Sequence, residues 1–272
     1  MKKLGPIRGA ILAIWFLIAL APTLWVVVLS LRPESAILTD AAGLPRVLSP
    51  SNYVQAWNES DAAQLFFNTI LVTAGAVALV LIASALFSFA ISRIRFRGSR
   101  VIYLSVVAGL AIPGQIIVLP LYLLMRDLHL VNTLWSIVLI YTATGIPFAV
   151  FLMTTFMENL PTALDEAALI DGASRLQLVR YVVAPLIRPA LAIVAVFNII
   201  NDWNNFLIPL VFLQDPHEMT VSVGVFSFVG QYGTTWNLLL ALLIIVSAPL
   251  VLVFIVMAEQ FKKALLGGAL KF

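Results

Sequence analysis

Few residues in this chain could do chemistry, and most reaction classes have no candidate at all. There is no cysteine, which excludes disulfides, thiolate metal sites and thiol nucleophiles. The two histidines, His129 and His217, lie far apart, and no Asp or Glu cluster completes a metal site around either. No G-x-x-x-x-G-K-[ST] run occurs, nor a glycine-rich loop opening onto a lysine, so no nucleotide or other cofactor is expected on this chain. A His, Ser or carboxylate constellation for a membrane-embedded enzyme is also missing. Three polar groupings remain. Asp165, Glu166 and Asp171 crowd a short alanine-containing stretch. Asn198, Asn201, Asp202 and Asn205 fall within an arc of about 100° if their segment is helical. Gln231 and Tyr232 sit between Gly230 and Gly233.

The surroundings of these groups are apolar. Of 272 residues, 62% are hydrophobic and 11% charged, against roughly 45–50% and about 25% in soluble domains. Lipid is the expected solvent, which excludes an ordinary soluble enzyme. The net charge of +3 is too small to suggest nucleic acid. Long runs with few charges predict an all-α polytopic membrane protein, one transmembrane domain over 1–272. Its six transmembrane helices are expected near 9–31, 63–92, 101–125, 131–157, 188–212 and 237–258. The apolar stretch 219–258 is long for one span. Its first half is rich in Gly, Ser and Thr and suits a folded outer loop over 215–235.

Charge placement sets the orientation. With six spans and both termini cytoplasmic, thirteen of the sixteen basic residues fall inside; only Arg32, Arg46 and Arg126 fall outside. The first apolar run exceeds a typical signal-peptide core and reads as a retained anchor. The turn carrying Arg93, Arg95, Arg97 and Arg100 is placed to meet anionic lipid headgroups. The outer segment 32–61, with three prolines, is long enough to fold as a cap or touch a partner.

The inner loop 158–185 is the most informative stretch. Pro161 suits a first helical turn, Asp165 and Glu166 suit the dipole of an N-terminus, and Thr162 with Asp165 resembles a capping box. Gly172 is a natural stop at C′. These signals predict a helix of about three turns outside the membrane. By the 3.6-residue period, Leu164, Ala167, Ala168 and Asp171 share a low face that another protein could approach. A helix lying on the membrane surface is the alternative, although such helices are usually basic and this one is acidic.

Here the residues resemble a family. Glu166-Ala167-Ala168, then Gly172, then Val182-Val183-Ala184-Pro185 is similar to the EAA motif of binding-protein-dependent ABC importer permeases, with Val182 and Ala184 at positions usually Ile and Leu. Asp171-Gly172-Ala173-Ser174, Pro185 through Leu191, Trp203-Asn204-Asn205-Phe206-Leu207 and Gln260 through Lys271 resemble the carbohydrate branch, similar to the smaller maltose-type permease subunit. In that branch an acid stands where this chain has Asn205, and Gly and Thr stand where it has Ala264 and Leu266. The resemblance implies a cytoplasmic coupling helix docking on an ATPase through Asp165, Glu166, Ala167, Ala168, Asp171 and Gly172. It also implies a homologous permease subunit, two ATPase subunits, an extracytoplasmic solute-binding protein and a prokaryotic inner membrane. ATP hydrolysis is then expected on a partner chain.

The polar face of the fifth span has three readings: the wall of a substrate path, packing between helices, or an ion site. Pro113, Gly114 and Pro120 predict a kinked third span. In the resembled family the outer loop before the last span reaches toward the binding protein, which makes Gln231 and Tyr232 candidate contacts. A sugar or oligosaccharide is the expected substrate, with glycerol phosphate left open. The alternative is a secondary, ion-coupled transporter acting without an ATPase. That class favours intramembrane acids and inverted repeats, and here only Asp202 lies within a span.

Overall fold

The structure, a computed structural model, describes residues 6–40, 42–45, 47–94, 96–232 and 235–269, with side chains from 9 to 229 and 235 to 258 of these. Every regular element among them is helical. In chain order they are α1 (Pro6–Ser30), α2 (Glu34–Thr39), α3 (Ser51–Glu59), α4 (Ala62–Arg93), α5 (Ser99–Val107), α6 (Val118–Asp127), α7 (Leu134–Glu158) and α8 (Ala163–Ile170). Then follow α9 (Arg175–Leu186), α10 (Arg188–Asn204), α11 (Leu207–Phe212), α12 (Val221–Tyr232) and α13 (Trp236–Ala269).

Four helical segments are long and apolar enough to cross a bilayer: Gly9–Ser30, Ala62–Arg93, Leu134–Glu158 and Trp236–Ala258. They match the first, second, fourth and sixth expected spans. The third, 101–125, is not one helix. After α5 the chain tightens into a 3-10 turn at Ala108–Ala111, and Ile112 is extended at φ −88, ψ 114. Pro113 disfavours the helical region for the residue before it, and regular helix resumes only at Val118. The fifth, 188–212, also breaks. Asn205 leaves helical geometry at φ −69, ψ 119, and α11 begins at Leu207.

The stretch 215–235, expected as a loop, holds a 3-10 turn at Pro216–Glu218 and the helix α12. Small polar residues signalled a loop, but Val221, Val223 and Phe228 are buried, and burying these apolar side chains outweighs the weak helix propensity of Gly224 between them.

The chain divides into two compact units, residues 1–63 with 223–249 and residues 64–222 with 250–272. In the first unit, residues 9–19 of α1 are all exposed. The segment after α1 folds around Arg32, whose guanidinium donates to the carbonyl oxygens of Gly43 (2.8 Å), Ala36 (2.7 Å) and Asp40 (2.8 Å). Asn52 donates to Ser30 O and Arg32 O, and accepts from Asn237 Nδ2 at 3.1 Å; Asn237 N donates to Glu34 Oε2. A segment with few buried apolar residues thus holds its shape largely through buried polar groups bonded to one another.

In the second unit α4, α7 and α10 meet in a layered core. Val80, Ala149, Met153 and Val194 are buried together at mid-length. Phe89, Met157, Leu178, Val183, Ile187 and Ala190 form the core at one end. Small hydroxyls tie the helices where they approach closely: Ser88 Oγ donates to Val150 O at 3.3 Å. At the other end Asn132, in left-handed geometry at φ 61, donates its N–H to Phe212 O and accepts from Gln214 N and Asp215 N, each at 2.8 Å. His129 (φ 57) ends α6 in the same way, with Leu130 N donating to Met125 O.

Candidate functional site

Helix α8 is built mainly by its backbone. Pro161 O accepts from Leu164 N, and Thr162 O accepts from Asp165 N (2.9 Å) and Glu166 N (3.1 Å). The expected capping box is absent. Thr162 is itself helical at φ −67, ψ −22, and its side chain caps nothing. The Asp165 carboxylate is instead drawn to Arg93 at the end of α4, with Nε and Oδ2 2.9 Å apart and the two side chains 7% and 13% exposed. Arg93 also donates to Leu160 O at 3.0 Å. The far end follows expectation. Gly172 takes φ +83, Ala173 N donates to Ala168 O and Gly172 N to Leu169 O, so the helix closes in a Schellman motif. Two residues on, Ser174 and Gln177 form a reciprocal capping box that starts α9. The Ser-x-x-Gln spacing was available to signal it.

The expected common face of α8 divides. Ala168 turns inward onto the Phe89–Met157–Leu178 core while Leu164, Ala167 and Asp171 stay exposed, and Asp165, off that face, turns toward Arg93. The tether to α4 fixes the helix rotation, which the periodicity alone could not. Glu166, Ala167, Asp171 and Gly172 remain exposed. Leu164, which the expected face included, is exposed too, and beside it stand apolar side chains that periodicity did not single out: Leu169, Leu176 and above all Ile170, which is 85% exposed.

Asp165→Ala would leave a buried guanidinium without its counter-ion. Removing one member of a buried pair costs roughly 3 kcal/mol or more. The expected outcome is a lower melting midpoint and faster proteolysis of the loop 158–175, while Glu166→Ala leaves both unchanged. Equal melting of the two variants would contradict the tether.

Beyond α8 the chain rises to an elbow. Residues Leu178–Val183 make a π turn, with Ala184 N donating to Val179 O, next to Pro185, which has no N–H to give. Helices α9 and α10 meet at 77°, and Ile187 at the vertex is buried. Ala168, Val183 and Ile187 belong to one core, so the short acidic helix and the elbow are packed as a single piece.

The polar residues of the fifth span separate by environment. Asn198 is buried, donates to Val194 O at 2.8 Å, and lies against Gly145 of α7. Asp202 is buried, and its Oδ2 has no hydrogen-bond partner among the described residues; the same holds for the Tyr141 hydroxyl. Asn201 is exposed, donating only to Phe197 O, one turn back. Asn204, which the spacing argument passed over, is exposed and donates to Ile200 O. Asn205 sits at the helix break. Its Oδ1 accepts from Ile208 N (3.1 Å), and its carbonyl accepts from Ser222 Oγ (2.7 Å). The four residues predicted to share a face therefore occupy three settings, because α10 packs on α7 through one flank and ends at Asn205.

The backbone at Gln231 and Tyr232 closes α12, while their side chains, with Gly233 and Thr234, lie outside the described residues. The side chains of the tail resemblance, Gln260 to Lys271, do so as well; its backbone is helical to Ala269.

Residues 81–266 match the family described as binding-protein-dependent transport system inner membrane component. The diacetylchitobiose uptake system permease protein NgcG of Streptomyces coelicolor is 30% identical, covering 99% of this chain and 90% of its own. The arabinooligosaccharides transport system permease protein AraQ of Halalkalibacterium halodurans is 32% identical, covering 99% of each. Among solved structures, a chain of a bacterial ABC transporter involved in import of the acidic polysaccharide alginate superposes with a TM-score of 0.82. It is 26% identical, with 94% of this chain and 96% of that one covered.

Proposed function

Because the chain belongs to the family of binding-protein-dependent transport system inner membrane components, we propose that it is one of two membrane subunits of an ATP-driven importer for a sugar or oligosaccharide. It is a transport component and not an enzyme. The family and its relatives favour this reading over an ion-coupled transporter acting alone. The subunit pairs with a homologous permease. Two separate ATPase chains supply the energy, and an extracytoplasmic solute-binding protein delivers the cargo. The 272 residues form one transmembrane domain that crosses the inner membrane six times with both termini cytoplasmic. The third and fifth crossings are interrupted, at 108–117 and at Asn205. Interrupted backbone at membrane depth is tolerated where it is buried in protein or lines a cavity.

The observation that carries the reading is the outward face of α8. Glu166, Ala167 and Ile170 project from a short helix outside the apolar spans, and the same helix is held to α4 by the Arg93–Asp165 pair. A motor subunit gripping that face moves α8, the elbow and α10 together, because their buried residues share a core. The interior then opens to one side of the membrane and afterwards to the other. The chain purified alone is expected to hydrolyse no ATP, and addition of its ATPase partners to restore substrate-stimulated turnover; turnover by the chain alone would contradict the division of labour.

Substrate meets the exposed asparagines. Asn201 and Asn204 offer side-chain amides beside Phe197 and Ile200, a mixed surface suited to sugar hydroxyls and ring faces. Asn205 shapes the break beneath them, and Asn198 and Asp202 hold the fold from inside. Gln231 and Tyr232, at the outer side, are contacts for the binding protein. Asn201→Leu with Asn204→Leu is expected to lower uptake about tenfold while the complex still assembles, the loss from leaving a few substrate hydroxyls unpaired. Unchanged uptake by fully assembled variant would remove this face from the path.

A further inference from the structure

Where the end of α4, the helix α8 and the start of α9 converge, they enclose a pocket of about 240 Å³. Its lining is apolar at Phe89, Ile94, Leu169 and Leu178 and charged at Arg93, Asp165 and Arg175. Arg93 and Asp165 neutralise one another. Arg175 is exposed and makes no side-chain hydrogen bond or ion pair among the described residues. The pocket thus presents one uncompensated guanidinium beside apolar surface. The pocket lies at the C-terminal end of α4, a helix long and apolar enough to cross a bilayer, and so on the side of the membrane where that helix ends in Arg93. Arg97 and Arg100, both exposed, follow in the next turn and add to the local positive field.

We propose that this pocket holds the phosphodiester headgroup of an anionic phospholipid, resting on the reading that the loop 158–185 is cytoplasmic. A guanidinium matches a phosphate geometrically and electrostatically, and a singly charged phosphodiester balances the single free cation. The apolar lining of Phe89, Ile94, Leu169 and Leu178 accepts the first part of an acyl chain, which a free anion would leave exposed to water. The volume admits one headgroup and excludes an oligosaccharide. Because its lining comes from α4, α8 and α9, an occupant braces the acidic helix against the span that carries it.

The test uses the assembled transporter in nanodiscs of phosphatidylcholine alone and of phosphatidylcholine mixed with phosphatidylglycerol. Native mass spectrometry after mild detergent exchange reads the lipid retained on the permease subunit. Wild type is expected to retain phosphatidylglycerol. Arg175→Gln is expected to retain about fivefold less, the contribution of one basic residue at an anionic surface, and Arg175→Lys an intermediate amount. Arg180→Gln, outside the pocket and stacked on Tyr181 at 5.5 Å, should match wild type. Equal retention by wild type and Arg175→Gln would overturn the proposal, as would displacement of the lipid by inorganic phosphate. Loss of ATPase subunits from Arg175→Gln in phosphatidylcholine alone would overturn it too, by assigning the pocket to an acidic side chain of the motor. Lipid retention is read on the permease subunit whether or not the motor stays bound, so its failure is separable from failure of the coupling reading.

Discussion

Glu166→Lys combined with Gly172→Asp is expected to bring uptake by the assembled transporter to background, a loss of roughly tenfold or more, with membrane insertion intact. The two changes act on different terms. The Glu166 side chain is exposed and makes no hydrogen bond or ion pair among the described residues, so reversing its charge leaves the fold's energetics nearly untouched. Its effect falls on whatever docks there, since placing like charges across an interface costs several kcal/mol. Gly172 has φ +83 at C′, and a side chain built there meets nothing within 4 Å. The penalty is therefore conformational: left-handed geometry costs an L-residue roughly 1–2 kcal/mol, somewhat less for Asp. That is enough to fray the last turn of a helix as short as α8. Glu166→Lys alone should melt like wild type and still lose uptake. Normal uptake by the double variant would mean that this helix transmits nothing.

Gly145→Val is expected to cut the yield of assembled transporter about tenfold or more, for an unrelated reason. A Cβ at Gly145 collides with Asn198 Oδ1 and comes within 2.9 Å of Val80 Cγ2, at the point where α4, α7 and α10 pack together. Asn198 cannot retreat freely, because Nδ2 is held by Val194 O. Overpacking of this kind costs 1–3 kcal/mol and occasionally more, and here it wedges three helices apart. Gly145→Ala should show a smaller defect that Asn198→Ala partly relieves, since the two sites share one volume. Asn198→Ala alone should lower assembly and leave transport per assembled complex unchanged. A transport defect in fully assembled Asn198→Ala would return that residue to the path wall.

How far such features could be read from residue order depends on the range of the interaction behind them. Gly172 was legible because a left-handed helix stop is a local backbone demand that glycine meets best. Thr162 misled because Asp165, its local partner, has a stronger one in Arg93, distant in sequence and brought near only by the fold. Apolar windows located the four long helical spans, since burial in lipid is a sum over residues and tolerates errors in detail. The same windows are blind to the breaks at 108–117 and Asn205, because hydrophobicity carries no information about where a backbone N–H finds its acceptor; Pro113 and Gly114 signalled the first as a kink, and nothing signalled the second. Asn205 breaks its helix with the help of Ser222, beyond the window considered. The arc of Asn198, Asn201, Asp202 and Asn205 was correct as geometry on an ideal helix, but it did not say which flank faces α7. Asn204, outside the arc, is among the exposed amides for that reason. Ile170 escaped notice as an ordinary apolar residue of an amphipathic helix; only the packed position of Ala168 reveals that Ile170 points away from its own chain.

The absence of cysteine makes the central claim directly measurable, because any introduced thiol is unique in the chain. Ile170→Cys places that thiol at the most exposed large apolar side chain of α8. In the assembled transporter a short thiol-directed photo-crosslinker at this position is predicted to capture the ATPase subunit, in a yield that changes with nucleotide. A thiol at Leu44, exposed in the segment between α2 and α3, should not capture it. If the Ile170→Cys thiol stays as open to a water-soluble maleimide with the ATPase bound as without it, and no crosslink forms, α8 is not the point of coupling.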